Sequence, residues 1–360
     1  MNILIIEDNP QDIQNCEDAK TYLCNKKKFD IQLTVKKTVS EAIDSLSSNI
    51  DFAVVDMRLQ NDMQAGMSVI SKMQELSLRV PTVAYTNTPD EVDDNGLLSV
   101  IKKTDKTYIE LFSYLEEIYK TGVTSVLGPQ GYFETQLNNY YNEIFIKQKD
   151  IWIKRLHSTD PADVKKSLLR TIVYHIEQLL DDTTGKTFFE EFYLNCKDFD
   201  FYTGSILRNN KDNILYLIMS PSCDLVKRDD KKTGNAKRNV ELITLCKIDS
   251  IKDHGFDIKR QEADCLSKTK QDEVKILLEN RKGQYHWLPP VKDFEGGFVD
   301  FTKVNSYNES DLLGNFELEK IRIASPYMKN ILSRFSSYYA RQGQPDLVVD
   351  SYINKLKSVK

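Results

Sequence analysis

The sequence lacks the features that mark membrane, secreted and zinc-binding proteins. No apolar run approaches the roughly 20 residues that span a bilayer, and Met1 is not followed by the basic start of a signal peptide. The 360 residues include six cysteines, none with C-x-x-C spacing, and four scattered histidines, so neither a zinc ribbon nor a thioredoxin motif is indicated. We therefore expect a cytoplasmic protein with reduced thiols and no membrane partner.

The formal net charge of −5 is divided unevenly along the chain. Residues 1–120 contain 13 Lys and Arg against 20 Asp and Glu, a net charge of −7, which argues against nucleic-acid binding there. Residues 227–238 contain six basic residues, but aspartates interrupt them and no aromatic residue is interleaved for base stacking. No helix-turn-helix with a basic recognition helix is evident, so we do not expect a nucleic-acid partner.

Short apolar runs alternate with amphipathic segments in residues 1 to about 120. A spacing of three and four residues, as in Tyr108, Leu111, Phe112 and Leu115, indicates a helix that buries one face. Five strands joined by helix-sized crossovers predict a parallel, doubly wound sheet. The predicted strands are 3–6, 31–35, 52–55, 82–85 and 99–102, and the predicted helices lie near 10–25, 39–48, 66–77 and 107–119.

Polar residues follow the ends of four of these strands, where parallel sheets place their sites. Glu7 and Asp8 follow the first strand, Asp56 the third, Thr86 the fourth, and Lys103 the fifth, directly after Lys102. Carboxylates packed together repel each other unless a cation lies among them, and oxygen ligands with open positions suit Mg²⁺. A lysine and a hydroxyl beside that cation suit a phosphoryl group, so the set fits an aspartyl phosphate.

Residues 1 to about 120 resemble the receiver domain of bacterial response regulators. The resemblance implies a flavodoxin-like fold of five βα units and a place in a two-component phosphorelay, with Asp56 phosphorylated by a sensor histidine kinase. It also implies that Asp8, Asp56 and the Arg58 carbonyl bind Mg²⁺, that Glu7 acts through water, and that Thr86 and Lys103 contact the phosphoryl group. It rests on Ile5-Ile6-Glu7-Asp8-Asn9, Val54-Val55-Asp56-Met57-Arg58, Ala84-Tyr85-Thr86 and Ile101-Lys102-Lys103.

The sequence departs from the receiver pattern in the part that transmits the signal. Thr86 and Lys103 are closer in sequence than the family's pattern, which predicts that the fourth helix is short or missing. Val100 stands where receivers usually have an aromatic residue, and Thr104 replaces the usual proline. The acceptor chemistry is therefore expected to be intact, while the usual output surface is altered.

Residues 121–200 are predicted to form a helical connector. A helical segment runs from about 132 to 156, and Asp160-Pro161 starts a second helix that ends near 180. These two helices are expected either to pack on each other or the next domain, or to pair two copies of the chain as a homodimer.

Residues 201–360 are predicted to form an α+β output domain, a small, mostly antiparallel barrel or sheet with a C-terminal helix. This region has a thin resemblance to the SH3-like barrel of PemK-type toxins, through Gly204-x-Ile206, Ile218-x-Ser220 and Arg322-Ile323. The predicted strands are 204–207, 214–219, 240–248, 285–288, 298–304 and 320–323, with helices at 272–280 and about 326–340.

These features favour a signalling protein without enzyme activity beyond its own phosphorylation and dephosphorylation. The C-terminal domain is then expected to contact a partner protein of unknown identity. One alternative is an effector enzyme, a nuclease or hydrolase under receiver control, with Cys223, Asp224 and His286 as its candidate site. The other is a phosphate sink, which takes phosphoryl groups to keep another regulator silent.

Overall fold

The computed structural model divides the chain into two compact units, Met1–Thr183 and Thr184–Lys360. It describes residues 1–47, 49–59, 62, 64–179, 186–196, 200–229, 236–254, 268–341, 347 and 349–357. No described helix combines the length and apolar character that crossing a membrane requires. The predicted domain boundaries at residues 120 and 200 remain predictions.

A five-stranded parallel sheet organises the first unit, in the order β2-β1-β3-β4-β5. This is the strand order of the flavodoxin-like fold, so the predicted fold is confirmed. The runs NILII of β1 and FAVV of β3 are almost wholly buried, because helices cover both faces of a central parallel strand. The strands are β1 (Asn2–Ile6), β2 (Gln32–Lys36), β3 (Phe52–Val55), β4 (Thr82–Thr86) and β5 (Ser99–Lys102).

Helices pack on both faces of this sheet and enclose two apolar cores. Leu111, Phe112 and Leu115 of the helix α4 enter the core that the first helix α1 also covers, as their spacing predicts. Thr107 caps α4 through a reciprocal bond pair with Glu110, which fixes where the helix begins. The helices are α1 (Pro10–Lys27), α2 (Val39–Asp44), α3 (Ala65–Glu75) and α4 (Tyr108–Lys120).

The connection from β4 to β5 contains no α-helix. All of residues 87–98 are described, and they form one 3₁₀ turn at Pro89–Glu91 and otherwise irregular structure. The prediction that the fourth receiver helix is short or missing is therefore confirmed.

Two long helical segments follow α4 and the short helix α5 (Val123–Leu127), as predicted. The first consists of α6 (Tyr132–Tyr140), a π-helical turn (Tyr141–Phe145) and α7 (Ile146–Leu156), and the second is α8 (Pro161–Gln178). The Tyr140 and His175 rings lie 5.1 Å apart, so the segments run antiparallel as a hairpin. Neither α7 nor α8 contains a buried residue, so one face of this hairpin has no partner among the described residues.

The second unit is built on a seven-stranded antiparallel sheet, in the order β12-β13-β11-β8-β7-β14-β6, which confirms the predicted mostly antiparallel domain. A two-stranded hairpin of β9 and β10 lies beside it. The strands are β6 (Tyr193–Asn195), β7 (Ser205–Asn209), β8 (Leu215–Ile218), β9 (Arg228–Asp229), β10 (Ala236–Lys237), β11 (Ile243–Asp249), β12 (Tyr285–Leu288), β13 (Gly297–Tyr307) and β14 (Phe316–Ile323).

This sheet curls until its two edge strands approach each other. The Tyr193 hydroxyl of β6 donates a hydrogen bond of 2.7 Å to the Pro289 carbonyl, which directly follows β12. Met328 and Ile331 of α12 pack into the core on one side of the sheet. The helices of this unit are α9 (Ser222–Leu225), α10 (Lys268–Leu278), α11 (Glu309–Asn315), α12 (Ser325–Tyr339) and α13 (Val349–Lys357).

Candidate functional site

The carboxyl edge of the parallel sheet brings together the side chains that the sequence places at strand ends. The Asp56 amide donates to the Ile6 carbonyl at 2.9 Å, so the ends of β1 and β3 are held side by side. The Lys103 amide donates to the Thr86 carbonyl at 3.0 Å and continues the pairing of β4 with β5. Backbone pairing therefore sets the positions of Glu7, Asp56, Thr86 and Lys103.

Lys103 is the centre of this site. Its Nζ lies 2.6 Å from Glu7 Oε2, 2.8 Å from Asp56 Oδ2 and 2.8 Å from Asp12 Oδ2. The side chain of Lys103 is 10% exposed and that of Glu7 is 2% exposed, whereas the neighbouring residue Lys102 is exposed to solvent. Adjacent strand residues point in opposite directions, which explains why only one of the two lysines enters the site.

Burial and charge act against each other in this cluster. Burial by itself lowers the pKa of the Lys103 ammonium, but its hydrogen bonds to Asp12, Asp56 and Glu7 outweigh burial, and the pKa is raised. Burial raises the pKa of Glu7 above its ordinary value, although Lys103 counteracts the rise. The Lys103 ammonium is therefore the group that most favours the ionised form of buried Glu7.

Apolar and aromatic groups form one wall of the site. The Tyr108 hydroxyl lies 3.5 Å from Glu7 Oε2, and its ring centroid lies 4.8 Å from that of Tyr85. Burial raises the pKa of the nearby Cys16 thiol to about 12, so this thiol stays neutral. An open cleft of about 610 Å³ beside Lys103, lined in part by Asp12, Tyr85 and Tyr108, leads from solvent to the ammonium group.

The loop after β3 is shaped around Asp56. The Arg58 amide donates to Asp56 Oδ1 at 3.2 Å, which leaves Oδ2 for Lys103. A Cβ atom on Gly66 would lie 2.7 Å from the Asp56 carbonyl oxygen, so glycine lets α3 begin directly against the acceptor. Thr86 is buried, and its Oγ1 accepts from the Thr88 amide at 3.4 Å.

The donor set at this edge fits Mg²⁺ in chemical type. No group of three or more His, Cys, Asp or Glu side chains in the described part of the chain is arranged to hold a metal ion. Magnesium, however, usually binds through one or two carboxylates together with phosphate oxygens and water. The carboxylates of Asp8 and Asp56 and the backbone carbonyl of Arg58 are oxygen donors of this kind. Asp8 is half-buried and directly follows Glu7 in the sequence.

Asp12 is a site residue that the sequence patterns did not indicate. It lies in the first turn of α1, and this turn follows β1 at the same edge of the sheet. The rule that parallel sheets place their sites at strand ends points to the residues directly after each strand and not to the first turn of the next helix. A carboxylate in the first turn of a helix is also common for a purely structural reason, because it interacts favourably with the helix N-terminus.

The candidate residues of the C-terminal domain do not form a site. Cys223 is exposed, and its Sγ lies 3.5 Å from Asp224 Oδ1. His286 is buried on β12, in register with Leu215 at the start of β8, whereas Cys223 lies beyond the other end of β8. The two strands are three sheet positions apart, on the order of 14 Å, so His286 does not reach the thiol.

The residues behind the toxin-like resemblance meet at one strand junction. The Gly204 amide donates to the Ile218 carbonyl, and the Ile323 amide donates to the Gly204 carbonyl, both at 2.9 Å. Gly204 has φ +87°, a conformation that favours glycine. These contacts are backbone pairing between β8, β7 and β14, and they do not indicate a catalytic site at the junction.

One residue of the basic stretch 227–238 has a structural role. Arg238 is buried, and its guanidinium donates to the Leu225 carbonyl and pairs with Asp200 and Glu309. Residues 230–235 of the stretch lie outside the described residues. Arg238 therefore holds loops of the second unit together, and because it is buried it is not exposed for binding phosphates.

Comparison with known proteins finds similarity to solved structures alone: no family model and no curated protein matches. Forty-four chains of solved structures match. A receiver protein from Pseudoalteromonas atlantica is 9% identical and covers 34% of this chain and 98% of its own, with a TM-score of 0.27. A response regulator from Hahella chejuensis is 20% identical and covers 33% of this chain and 92% of its own, with a TM-score of 0.25.

A further similar structure is the N-terminal domain of a response regulator/sensory box/GGDEF 3-domain protein from Carboxydothermus hydrogenoformans. It is 21% identical and covers 34% of this chain and 99% of its own, with a TM-score of 0.27. The similarity to receiver domains lies in the N-terminal third of the chain, and the C-terminal part is unassigned. The fold of the N-terminal domain is assigned from its strand order, and its site from the geometry at the carboxyl edge.

Proposed function

We propose that this protein is a response-regulator-like signalling protein in which Asp56 accepts a phosphoryl group from a sensor histidine kinase. The supporting observation is the contact of 2.8 Å between Asp56 Oδ2 and Lys103 Nζ at the carboxyl edge of a flavodoxin-like sheet. An ammonium group held at the nucleophilic carboxylate can offset the charge that a phosphoryl group brings.

In this mechanism a carboxylate oxygen of Asp56 attacks the phosphorus atom of the donor. The bond from phosphorus to the donor breaks, its electron pair leaves with the donor, and an acyl phosphate remains on Asp56. Mg²⁺, held by Asp8, Asp56 and the Arg58 carbonyl, would supply charge neutralisation at the phosphoryl oxygens. Lys103 would donate to a phosphoryl oxygen, Thr86 would turn its hydroxyl towards another, and Glu7 would keep Lys103 in place.

The first test is chemical phosphorylation of the full chain. We expect the wild type to gain the mass of one phosphoryl group in acetyl phosphate and Mg²⁺, because Lys103 stabilises the product. The Asp56→Asn variant should gain none, since the amide is not a nucleophile. Intact-mass spectrometry measures the phosphoryl gain of both proteins. An equal gain in mass by the variant would reject Asp56 as the acceptor.

A phosphate sink is the second candidate, and the connection between β4 and β5 favours it. The fourth receiver helix is absent from residues 87–98, so the surface that usually carries the signal is reduced. The two candidates differ in what phosphorylation does next. A regulator changes its assembly or its partner binding when phosphorylated, whereas a sink keeps the same elution volume and binding in both states.

We further propose that the hairpin of α7 and α8 pairs two copies of the chain. An amphipathic hairpin that meets its own copy across a two-fold axis forms a four-helix bundle and buries both apolar faces. Large exposed patches of this kind mark interaction sites. The exposed apolar side chains are Ile146, Ile151, Ile153, Leu156, Leu169, Val173 and Tyr174.

Charged substitutions on this hairpin face should weaken self-association. We expect the double variant Leu169→Glu and Val173→Glu to raise the dimer dissociation constant at least about tenfold, because each buried carboxylate at the interface lacks a partner. Sedimentation at several protein concentrations measures the constant. The control is Leu76→Glu, an exposed leucine on the α/β domain, and an equal effect of both variants would contradict the proposal.

A further inference from the structure

Three carboxylates share the single ammonium group of Lys103, and the proposed chemistry gives no role to the contact with Asp12. An ammonium group has three N–H donors, and the contacts to Glu7, Asp12 and Asp56 occupy all of them. A phosphoryl group arriving at Asp56 therefore meets a lysine without a free donor. One of these hydrogen bonds must break before Lys103 can bind the arriving group.

Glu7 is the carboxylate that holds Lys103 most firmly. It is 2% exposed, and its Oε1 accepts from the Asn9 amide at 3.0 Å. Its Oε2 receives the Lys103 contact of 2.6 Å, and the Tyr108 hydroxyl lies 3.5 Å from the same oxygen. Leaving this buried charge without its cation would be strongly unfavourable. Glu7 therefore keeps Lys103 in both the free and the phosphorylated state.

Asp12 is the carboxylate that can release Lys103 most easily. Its side chain is 22% exposed, so water can solvate it when the lysine leaves. It also lies in the first turn of α1, where the positive end of the helix dipole favours a negative charge. Both effects reduce the free energy that Asp12 loses when its hydrogen bond to Lys103 breaks.

We propose that Asp12 is a positioning residue that holds Lys103 away from the incoming phosphoryl group and so slows the phosphorylation of Asp56. The inference rests on the proposed function, because it concerns the same acceptor site. Asp12 acts in two ways: it occupies one donor of Lys103, and its charge repels an anionic phosphodonor in the cleft that Asp12 and Lys103 both line. The chain thereby limits how readily small anionic donors phosphorylate it.

The test compares four forms of the full chain in acetyl phosphate and Mg²⁺. The Asp12→Asn variant should be phosphorylated about five to ten times faster than the wild type, the size expected when one partly exposed hydrogen bond no longer competes. Asp12→Glu keeps the charge and should return towards the wild-type rate. The matched control is Glu17→Gln, which removes one charge from the same helix at a residue that pairs with Lys20 and does not line the cleft.

A second readout needs neither metal nor phosphodonor. In a chelating buffer, an amine-reactive reagent should label Lys103 about ten times faster in Asp12→Asn than in the wild type, because the ammonium has lost one of three partners. Peptide mass spectrometry measures this labelling, and Glu17→Gln should leave it unchanged.

The outcomes separate the inference from the proposed function. Faster labelling with an unchanged phosphorylation rate would overturn the inference and leave Asp12 as a structural contact. Equal acceleration by Asp12→Asn and Glu17→Gln would also overturn it, because the effect would then be one of overall charge. Failure of both the wild type and Asp12→Asn to take up phosphate would reject the proposed function, and the inference with it.

Discussion

Replacing Lys103 by methionine should destabilise the first unit by about 3–5 kcal/mol, the size seen when one partner of a buried ion pair is removed. The variant leaves Glu7 buried among Tyr108, Cys16 and the strand ends without a compensating cation. Asp56 and Asp12 lose the same partner, although both are more exposed than Glu7. Because methionine fills a similar volume to lysine, the loss of stability reflects the removal of the charge and not the creation of a cavity.

Urea unfolding followed by the fluorescence of Trp152, in a chain with Trp287 changed to phenylalanine, measures this loss in the first unit. Lys102→Met is the matched control, because Lys102 is the exposed neighbour on β5, and we expect a change within about 0.5 kcal/mol. Adding Glu7→Gln to Lys103→Met should recover much of the stability. A loss of equal size at positions 102 and 103 would show that Lys103 is not the partner of a buried charge.

The Lys103→Met defect should also depend on pH in a defined direction. Burial already raises the pKa of Glu7, and Lys103 opposes that rise, so removing the lysine raises the pKa further. A carboxyl group whose pKa is raised in the folded state favours folding when protonated and loses that contribution as pH increases. The destabilisation should therefore shrink in mildly acidic buffer, where Glu7 is neutral.

The second unit should lose roughly 2–3 kcal/mol of stability between pH 7.5 and pH 4.5 through His286 alone. Burial lowers the pKa of His286 to about 3, with a smaller contribution from the charge of Arg334. Its Nδ1 has no hydrogen-bond partner among the described residues, and its ring lies 6.4 Å from that of Phe192. Below its ordinary pKa near 6.5 the unfolded chain takes up a proton that the folded chain does not, so stability falls.

Trp287 lies beside His286 on β12 and reports this unit when Trp152 is changed to phenylalanine. We expect His286→Phe to remove the stated part of the pH dependence, because no imidazole remains to be protonated in the unfolded chain. His157→Phe changes an exposed histidine in the first unit and should leave the pH profile of the second unit unchanged. An identical profile in wild type and His286→Phe would rule out this histidine as the cause.

Local sequence pattern was sufficient to locate most elements of the first domain. The buried runs of β1 and β3 and the spacing of Leu111, Phe112 and Leu115 in α4 follow from periodicity. The missing helix before β5 follows from the receiver resemblance, because Thr86 and Lys103 are closer in sequence than the family's pattern. Glu7, Asp56, Thr86 and Lys103 could be placed at one edge because parallel strands connected by helices end on the same side. Such inferences need only neighbours along the chain and one rule of topology.

Contacts between residues distant in sequence had to come from the tertiary structure. The receiver resemblance implied Lys103, and the structure places the side chain of Lys103, not that of Lys102, beside Asp56. Asp12 joined the site because α1 begins beside Lys103, 91 residues away along the chain. Likewise, residue type alone makes Cys223 and His286 a plausible pair of nucleophile and base, but the order of β12, β13, β11 and β8 in the sheet separates them. Periodicity reports which face of a segment is buried, whereas the identity of its neighbour depends on how strands are ordered and paired.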